Sequence, residues 1–306
     1  MSEPARAGAL AEPTFTEHRR LLLAVAYRVL GRVSDAEDVV QDAWLRWSAV
    51  DTDEVADPRA YLVRVTTRLA IDRLRRAQAR RESYVGPWLP EPLLSSNDVI
   101  TDVGEEVAET AALEESVSMA MLVVLETLSP LERAVFVLRE VFAFSYAEVA
   151  DIVGRSEPAV RQLCRRARGH VAEGRPRFDV DRATRRRVSE QFLAACGTGD
   201  VTALLGMLAP DVTMVGDGGG QAKAPLRTIT GAEKVARFLL GIVAKPEFAQ
   251  MQIRVADVNG GPGILATAGE TPTAAMILDV EGGVIHTVRL FANPAKLSGL
   301  RRSDQG

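Results

Sequence analysis

The residue type in this chain best suited to recognition chemistry is arginine, and its spacing is not uniform. Lys and Arg together number 37, and the only lysines are Lys223, Lys234, Lys245 and Lys296, which leaves 33 arginines. A guanidinium is a planar fork that pairs with phosphate and with the edge of guanine. Coding composition can raise arginine on its own, so position carries more weight than number. At about 100° per residue, Arg64, Arg68 and Arg75 fall on one stripe of a helix and Leu62, Val65 and Leu69 on another. Farther on, Glu157, Arg161, Arg165 and Arg168 recur at intervals of four, four and three, opposite Val160, Leu163 and Ala167. An isolated stripe of this kind is usually a solvated face. Two of them, in order and joined by a segment of opposite charge, point to a polyanion.

Other chemistries find less support. Cys164 and Cys196 are far apart with no CxxC, so neither a disulfide framework nor a zinc site is expected. His18 and His170 stand alone; His286 shares a strand face with Val284, Val288 and Leu290, which places it in an apolar interior with Asp211 or Asp217 as acid/base partners. A lone histidine on such a face is more often satisfied core. Asp217-Gly218-Gly219-Gly220 is not followed by Gly-Lys-Ser/Thr and reads as a tight loop. With no nucleophile elbow, metal cluster or cofactor fingerprint, the expectation is a protein that is not an enzyme and has no cofactor and no metal.

The elements that position the arginines are helical. Phe15 to Leu30 carries Leu22, Val25, Ala26 and Val29 and stops at Gly31; Ser34-Asp35-Ala36-Glu37 predicts a capping box opening the next helix. A third helix starts near Pro58. From Arg59 to Arg81 there are eight arginines against Asp72 alone. The chain then inverts: Glu82 to Ala120 carries nine acidic residues and no Lys or Arg, whereas Arg155 to Arg187 carries eleven arginines against four acids. Ser129-Pro130-Leu131-Glu132 predicts a capped helix with proline in its first turn. Ser145 to Val153, Gly154-Arg155-Ser156 and a helix from Glu157 spell a helix-turn-helix, whose second helix can enter a major groove.

Past residue 180 the pattern changes. Ala183 to Cys196, Val201 to Leu208 and Gly231 to Val243 read as helices; Ala249 to Val258, Ile264 to Ala268, Ala274 to Val280 and Val284 to Phe291 read as strands, turned at Asn259-Gly260 and Glu281-Gly282-Gly283. Helices followed by an antiparallel sheet predict an α+β cone. Across 306 residues, 47% apolar and 25% charged residues with a net charge of -4 describe a globular multidomain chain. The longest apolar run, Leu21 to Leu30, is too short to span a bilayer, and Met1 to Pro13 lacks an export signal, so no membrane association and a cytoplasmic location are expected.

Residues 13 to about 175 resemble the extracytoplasmic-function sigma factors of bacterial RNA polymerase. Tyr27 to Gly31, Asp35 to Asp42 and Trp44 to Trp47 are similar to region 2.1–2.2, Asp57 to Arg76 to regions 2.3 and 2.4, and Leu128 to Arg133 onward to region 4. The resemblance implies core RNA polymerase, through its clamp and flap, and promoter DNA as partners. Asp38, Gln41 and Trp44 would dock on the clamp, Arg59, Arg64, Arg68, Arg75 and Arg76 would engage the -10 element, and Glu157, Arg161, Arg165 and Arg168 the -35 element. The last 120 residues resemble SnoaL-like domains of the NTF2-like superfamily. Trp88-Leu89-Pro90-Glu91-Pro92-Leu93, Asp217-Gly218-Gly219-Gly220 and Asn293-Pro294-Ala295-Lys296-Leu297 resemble motifs of the sigma-J-type group, with departures at Ala295 and Gln221. In that group the fused domain is thought to regulate the sigma modules without a separate anti-sigma factor. A small-molecule ligand in its pocket is part of the expectation, and the alternative is a DNA-binding fusion whose cone senses a small molecule or acts as a cyclase.

The boundaries expected are region 2 over 1–81, an acidic flexible linker over 82–111, a region 4 helix-turn-helix over 112–180, the NTF2-like domain over 181–300 and a tail over 301–306. Trp88, flanked by prolines that pre-extend the chain, is an anchor at low ordering cost. The linker is therefore expected to seat on the last domain through Trp88, Leu89, Pro90 and Glu91 against Asp217, Gly218, Gly219, Asn293, Pro294 and Lys296.

Overall fold

The structure, a computed structural model, describes residues 4–81, 83–95, 118–174 and 180–301. Most of the acidic run, from Asp98 to Glu115, lies outside the described residues. By contact the chain divides into two units, one formed by 1–82, 98–117 and 121–175, the other by 83–97, 118–120 and 176–306.

In the first unit α1 (Pro4–Leu30), α2 (Val33–Trp47) and α3 (Pro58–Arg81) are followed by α4 (Met119–Leu125, of which the first two residues group with the second unit), α5 (Pro130–Phe136, continued by a π turn over Val137–Val141), α6 (Tyr146–Val153) and α7 (Glu157–Gly174). The apolar stripe of α1 is buried as expected, but every residue from Leu21 to Leu30 is buried, including Tyr27 and Arg28. A helix enclosed on all sides must bury its polar residues with partners. Arg28 donates to the Ala24 carbonyl at 3.1 Å and stands 5.3 Å from the centre of the Phe142 ring, and burial lowers its pKa to about 10.

Of the two capping boxes expected, the one at Ser129 forms and the one at Ser34 does not, and a third, at Ser145, was not anticipated. Ser129 and Ser145 each close a complete capping box, with Glu132 and Glu148. Gly154 ends α6 in the left-handed conformation, at φ 65°. The box expected at Ser34 does not form: α2 begins two residues earlier than a Ser34 cap requires, at Val33, with Arg32 at the N-cap and no side-chain cap bond. Val33 is buried, so packing at the first turn outweighs a cap bond of about 1 kcal/mol.

The second unit contains α8 (Arg182–Thr198), α9 (Val201–Met207), β1 (Leu208–Asp217), β2 (Ile229–Thr230), α10 (Ala232–Val243), β3 (Gln252–Val258), β4 (Gly261–Ala268), β5 (Thr271–Glu281) and β6 (Val284–Phe291). The sheet order is β2-β1-β6-β5-β4-β3, with β1 and β6 parallel and the other pairs antiparallel. This is the expected α+β architecture with two added strands, β1 and the short β2, and with β1 parallel to β6 rather than a wholly antiparallel sheet. Strand β1, broken in pattern by Pro210 and Gly216, was not anticipated, yet it lies inside the sheet. Phe192 and Ala195 of α8 and Val235 and Leu239 of α10 pack on Val212, Ile264, Leu278 and Val288 to form the core. Burying Phe192 alone contributes roughly 1.5 to 3 kcal/mol. Asn259 and Gly260 take φ of 51° and 73°, the backbone a tight right-twisted hairpin requires.

His286 departs from expectation. Ile285 and Val288 both enter the core, so strict alternation fails between them. Asp279 pairs with Thr287 and the next residue, Val280, with Ile285, so His286 is the extra residue of a bulge in β6 and is turned out to solvent. Asp211 is also exposed.

Candidate functional site

Helix α3 ends its packing role on Leu62, Val63, Ala70, Ile71 and Leu74, all buried, and turns its arginines away from that face. Three of them do not face open solvent, because the short helix α6 and its flanks receive them. Arg64 pairs with Asp151 at 3.1 Å, with 33% and 67% of the two side chains exposed. Arg68 donates from Nε to the Ile152 carbonyl at 2.8 Å and from Nη2 to the Asp151 carbonyl at 2.9 Å. These are carbonyls of the last turn of α6, where a cation also meets the negative end of the helix dipole. Arg59 lies over the Phe144 ring at 5.2 Å. Below them the buried Arg133 donates to the Arg28 carbonyl at 2.9 Å and pairs with Glu126 at 2.8 Å. Farther along α3, Arg75 pairs with Asp72 at 3.1 Å and Arg76 is exposed.

On α7 the apolar positions Val160, Leu163, Cys164, Ala167 and Val171 are buried, and Arg161, Arg165 and Arg168 are exposed. Arg161 pairs with Glu157 one turn back and stacks over the Tyr146 ring at 4.3 Å. Arg168 bonds Glu140 at 2.7 Å, a contact that raises its pKa and keeps it charged. At the start of α6, hydrogen bonds to Ser145 hold the Glu148 carboxyl below its ordinary pKa, so the capping box is ionised at neutral pH. On α2, Asp38 and Gln41 are exposed, while Trp44 is half-buried edge-on against Phe15, with ring centres 5.1 Å apart. Arg73 reaches back to Asp35 at 2.8 Å and to Asp38 at 2.5 Å.

A second constellation lies wholly within the second unit, where residues 83–95 are seated on the cone domain. Asp217, at the end of β1, is fully buried and accepts bonds from the Tyr84 hydroxyl, from the Leu89 N–H at 2.9 Å and from Lys296 Nζ at 2.6 Å. Lys296 also donates to the Leu89 carbonyl at 2.5 Å, and its ammonium lies 3.1 Å from the centre of the Trp88 ring. Asn293 donates to Tyr84 at 2.8 Å and, through its Oδ1, caps the turn that presents Lys296. Gly219 has φ 58°, and a Cβ there would strike the Asn293 amide; both conditions select glycine. Glu91 accepts from Ser298 at 2.9 Å. The Leu93 N–H donates to Asn259 Oδ1 at 3.0 Å, its carbonyl accepts from the Asn259 N–H at 2.8 Å, and Leu94 forms an antiparallel bridge with Val258. The linker thus covers the end of the edge strand β3, which would otherwise expose unpaired backbone.

Of the residues expected at this seat, Trp88, Leu89, Glu91, Asp217, Gly219, Asn293 and Lys296 converge in these contacts. Pro90 and Gly218 are buried beside them, and Pro294 starts the turn carrying Lys296. Tyr84, Asn259 and Ser298 were missed. Asn259 had a sufficient role as a turn residue, and nothing local distinguished Tyr84 except its position four residues before Trp88.

Residues 14–80 match Sigma-70 region 2 and residues 118–171 match Sigma-70, region 4. Over 297 residues the chain is 40% identical to ECF RNA polymerase sigma factor SigJ of Mycobacterium tuberculosis, an alignment spanning 93% of this chain and 92% of that one. The chain is an extracytoplasmic-function RNA polymerase sigma factor. It is also 32% identical over 287 residues to the probable ECF sigma factor SigI of the same organism, with 93% of each chain covered. The crystal structure of M. tuberculosis SigJ superposes with a TM-score of 0.70 at 37% identity, covering 93% of this chain and 97% of that one. This sigma factor therefore directs transcription initiation by RNA polymerase on promoter DNA, with helical regions 2 and 4 and a fused α+β domain. Among its described residues no helix is long and apolar enough to cross a membrane.

Proposed function

We propose that this sigma factor reads its promoter with α3 and α7 and is governed by its own C-terminal domain, which holds the linker and stands in for a separate anti-sigma factor. Arg59, Arg64, Arg68, Arg75 and Arg76 engage the -10 element, and Glu157, Arg161, Arg165 and Arg168 the -35 element. Asp38, Gln41 and Trp44 dock on the polymerase clamp, region 4 meets the flap, and the protein works in the cytoplasm. In this reading region 2 spans 1–81, the linker 82–111, region 4 112–180 and the cone domain 181–300. Exposed guanidinium groups on α7, of which Arg161 and Arg168 are aimed by a carboxylate or a ring, support groove recognition.

The observation that carries the regulatory reading is the seat of the linker: Lys296 holds both the Leu89 carbonyl and Asp217 in a site that excludes water. A linker fixed at 84–95 cannot extend freely, and only the chain beyond it remains to separate two promoter elements. Holding the linker therefore restrains initiation. Tyr84→Phe removes one hydroxyl that serves both Asp217 and Asn293 without altering ring packing. In run-off transcription with core polymerase and the full chain, this variant raises the transcript yield about fivefold or more, the effect of weakening the hold on the linker by about 1 kcal/mol or more when a hydroxyl that makes two buried bonds is lost. An unchanged yield, with faster hydrogen exchange at 84–95 proving the linker loosened, would refute the regulatory role.

A second reading, in which the cone domain takes a small molecule, is favoured by a cavity of about 330 Å³ in that domain. His286, Asp211 and Asp217 are not among its lining residues, so binding is better supported than cyclase-like chemistry.

A further inference from the structure

The cavity of the cone domain opens between helices α8 and α10 and the inner face of the sheet, and its walls decide what it can hold. Phe192 and Cys196 come from α8, Leu239 and Ile242 from α10, and Ile264 and Met276 from the strands. Two polar groups in the wall are already committed. The Thr273 hydroxyl lies 3.1 Å from the Ala266 carbonyl and 3.7 Å from the Met251 sulfur. The Cys196 thiol is pushed up to about 11 by burial and is therefore neutral. The body of an occupant must accordingly carry no polar atom, since one placed here would lose its water without gaining a bond. The charged residues of the lining, Lys223, Lys245 and Glu247, are all exposed and so form the mouth, with a net charge of +1. A volume of about 330 Å³ corresponds to roughly eleven water-sized units of about 30 Å³ each.

We propose that the cavity binds a medium-chain aliphatic monocarboxylate, with a tail of about ten to twelve carbons inside and its carboxylate at the mouth beside Lys223 and Lys245. This rests on the reading that the cone domain takes a small molecule, and it adds the chemical class and the route by which occupancy reaches the linker. Ala222 and Ala292 also line the cavity. The Ala292 and Asn293 N–H groups donate to the Asp217 carbonyl at 2.8 and 3.0 Å, and the Ala222 N–H donates to the Gly218 carbonyl at 3.0 Å. A tail seated against Ala222 and Ala292 thus presses on the two segments that hold Tyr84, Leu89 and Trp88. Binding the acid alters the grip on the linker.

The test is calorimetric titration of the full chain with decanoate, 1-decanol and decyltrimethylammonium, which share a tail and differ in charge. Decanoate is expected to bind one to one, at least tenfold more tightly than the ammonium, and Lys223→Glu/Lys245→Glu is expected to reverse that order. Ala274→Trp, or Leu193→Trp from the opposite wall should the first fail to fold, is expected to weaken decanoate at least tenfold. Hydrogen exchange at 84–95 is expected to change at least threefold on adding decanoate to the parent and not to the blocked variant. Equal affinity for all three ligands would overturn the carboxylate class while leaving a binding cavity. Absence of saturable binding by any of them, or binding indifferent to both tryptophan variants, would overturn the cavity reading itself.

Discussion

Lys296 concentrates the chemistry of the linker seat in one side chain. It is 3% exposed and its partner Asp217 is 1% exposed, so neither charge can be replaced by water if the other is removed. A buried pair adds little over an apolar pair of the same shape, but deleting one member costs about 3 to 5 kcal/mol because the other is stranded. Lys296→Met is therefore expected to lower the thermal midpoint of the second unit markedly, and Asp217→Asn/Lys296→Met to recover more than half of the loss. Calorimetric melting of the two variants checks this. A single variant as stable as the parent would mean that the pair does not hold the seat. The sequence singled out both residues through their motifs; that they form an ion pair was not legible, because 79 positions separate them and either could have faced solvent.

At the scale of elements, legibility followed locality. The box at Ser129 was readable because donor, acceptor and helix start lie within four residues, and the box at Ser145 carries the same local pattern, although only its helix was anticipated. The cap at Ser34 failed because the decisive interaction, the burial of Val33, is tertiary. Strand β1 was missed since its partners are β6 and β2, the former more than sixty residues away. His286 was misplaced because a register shift is invisible to simple alternation. Helix α8 offers a prediction of its own. Burial raises the Cys196 thiol from its ordinary value near 9 to about 11. Between those values the unfolded chain has lost its proton while the folded helix keeps it, so fewer protons are bound in the unfolded state and stability falls as pH rises. Denaturant unfolding of the second unit is thus expected to become easier from about pH 9 to 11, and Cys196→Ala to flatten that slope. A slope identical in parent and variant would place the titration elsewhere.

At the scale of the molecule, the arrangement within the first unit bears on how the factor meets polymerase. Arg64 and Arg68, proposed for the -10 element, are engaged by the last turn of α6, so the same guanidinium groups cannot serve DNA until regions 2 and 4 separate. Each contact is modest: an exposed pair such as Arg64 with Asp151 contributes up to about 1 kcal/mol, and the two bonds of Arg68 to carbonyls contribute somewhat more. They act together with the buried bond from Arg133 to the Arg28 carbonyl and with Arg28 and Arg59 over the Phe142 and Phe144 rings, and the closed population lowers the apparent affinity by the fraction that is open. Asp151→Lys replaces an attraction to Arg64 with a repulsion at an exposed position, where the fold of α6 does not depend on it. The full-length variant is expected to bind core polymerase about threefold to tenfold more tightly than the parent at low salt. The difference should shrink at high ionic strength, where screening removes the repulsion and the attraction alike. Fluorescence titration with core enzyme at two salt concentrations measures both quantities. Equal affinities at low salt would show that regions 2 and 4 already stand apart before polymerase arrives.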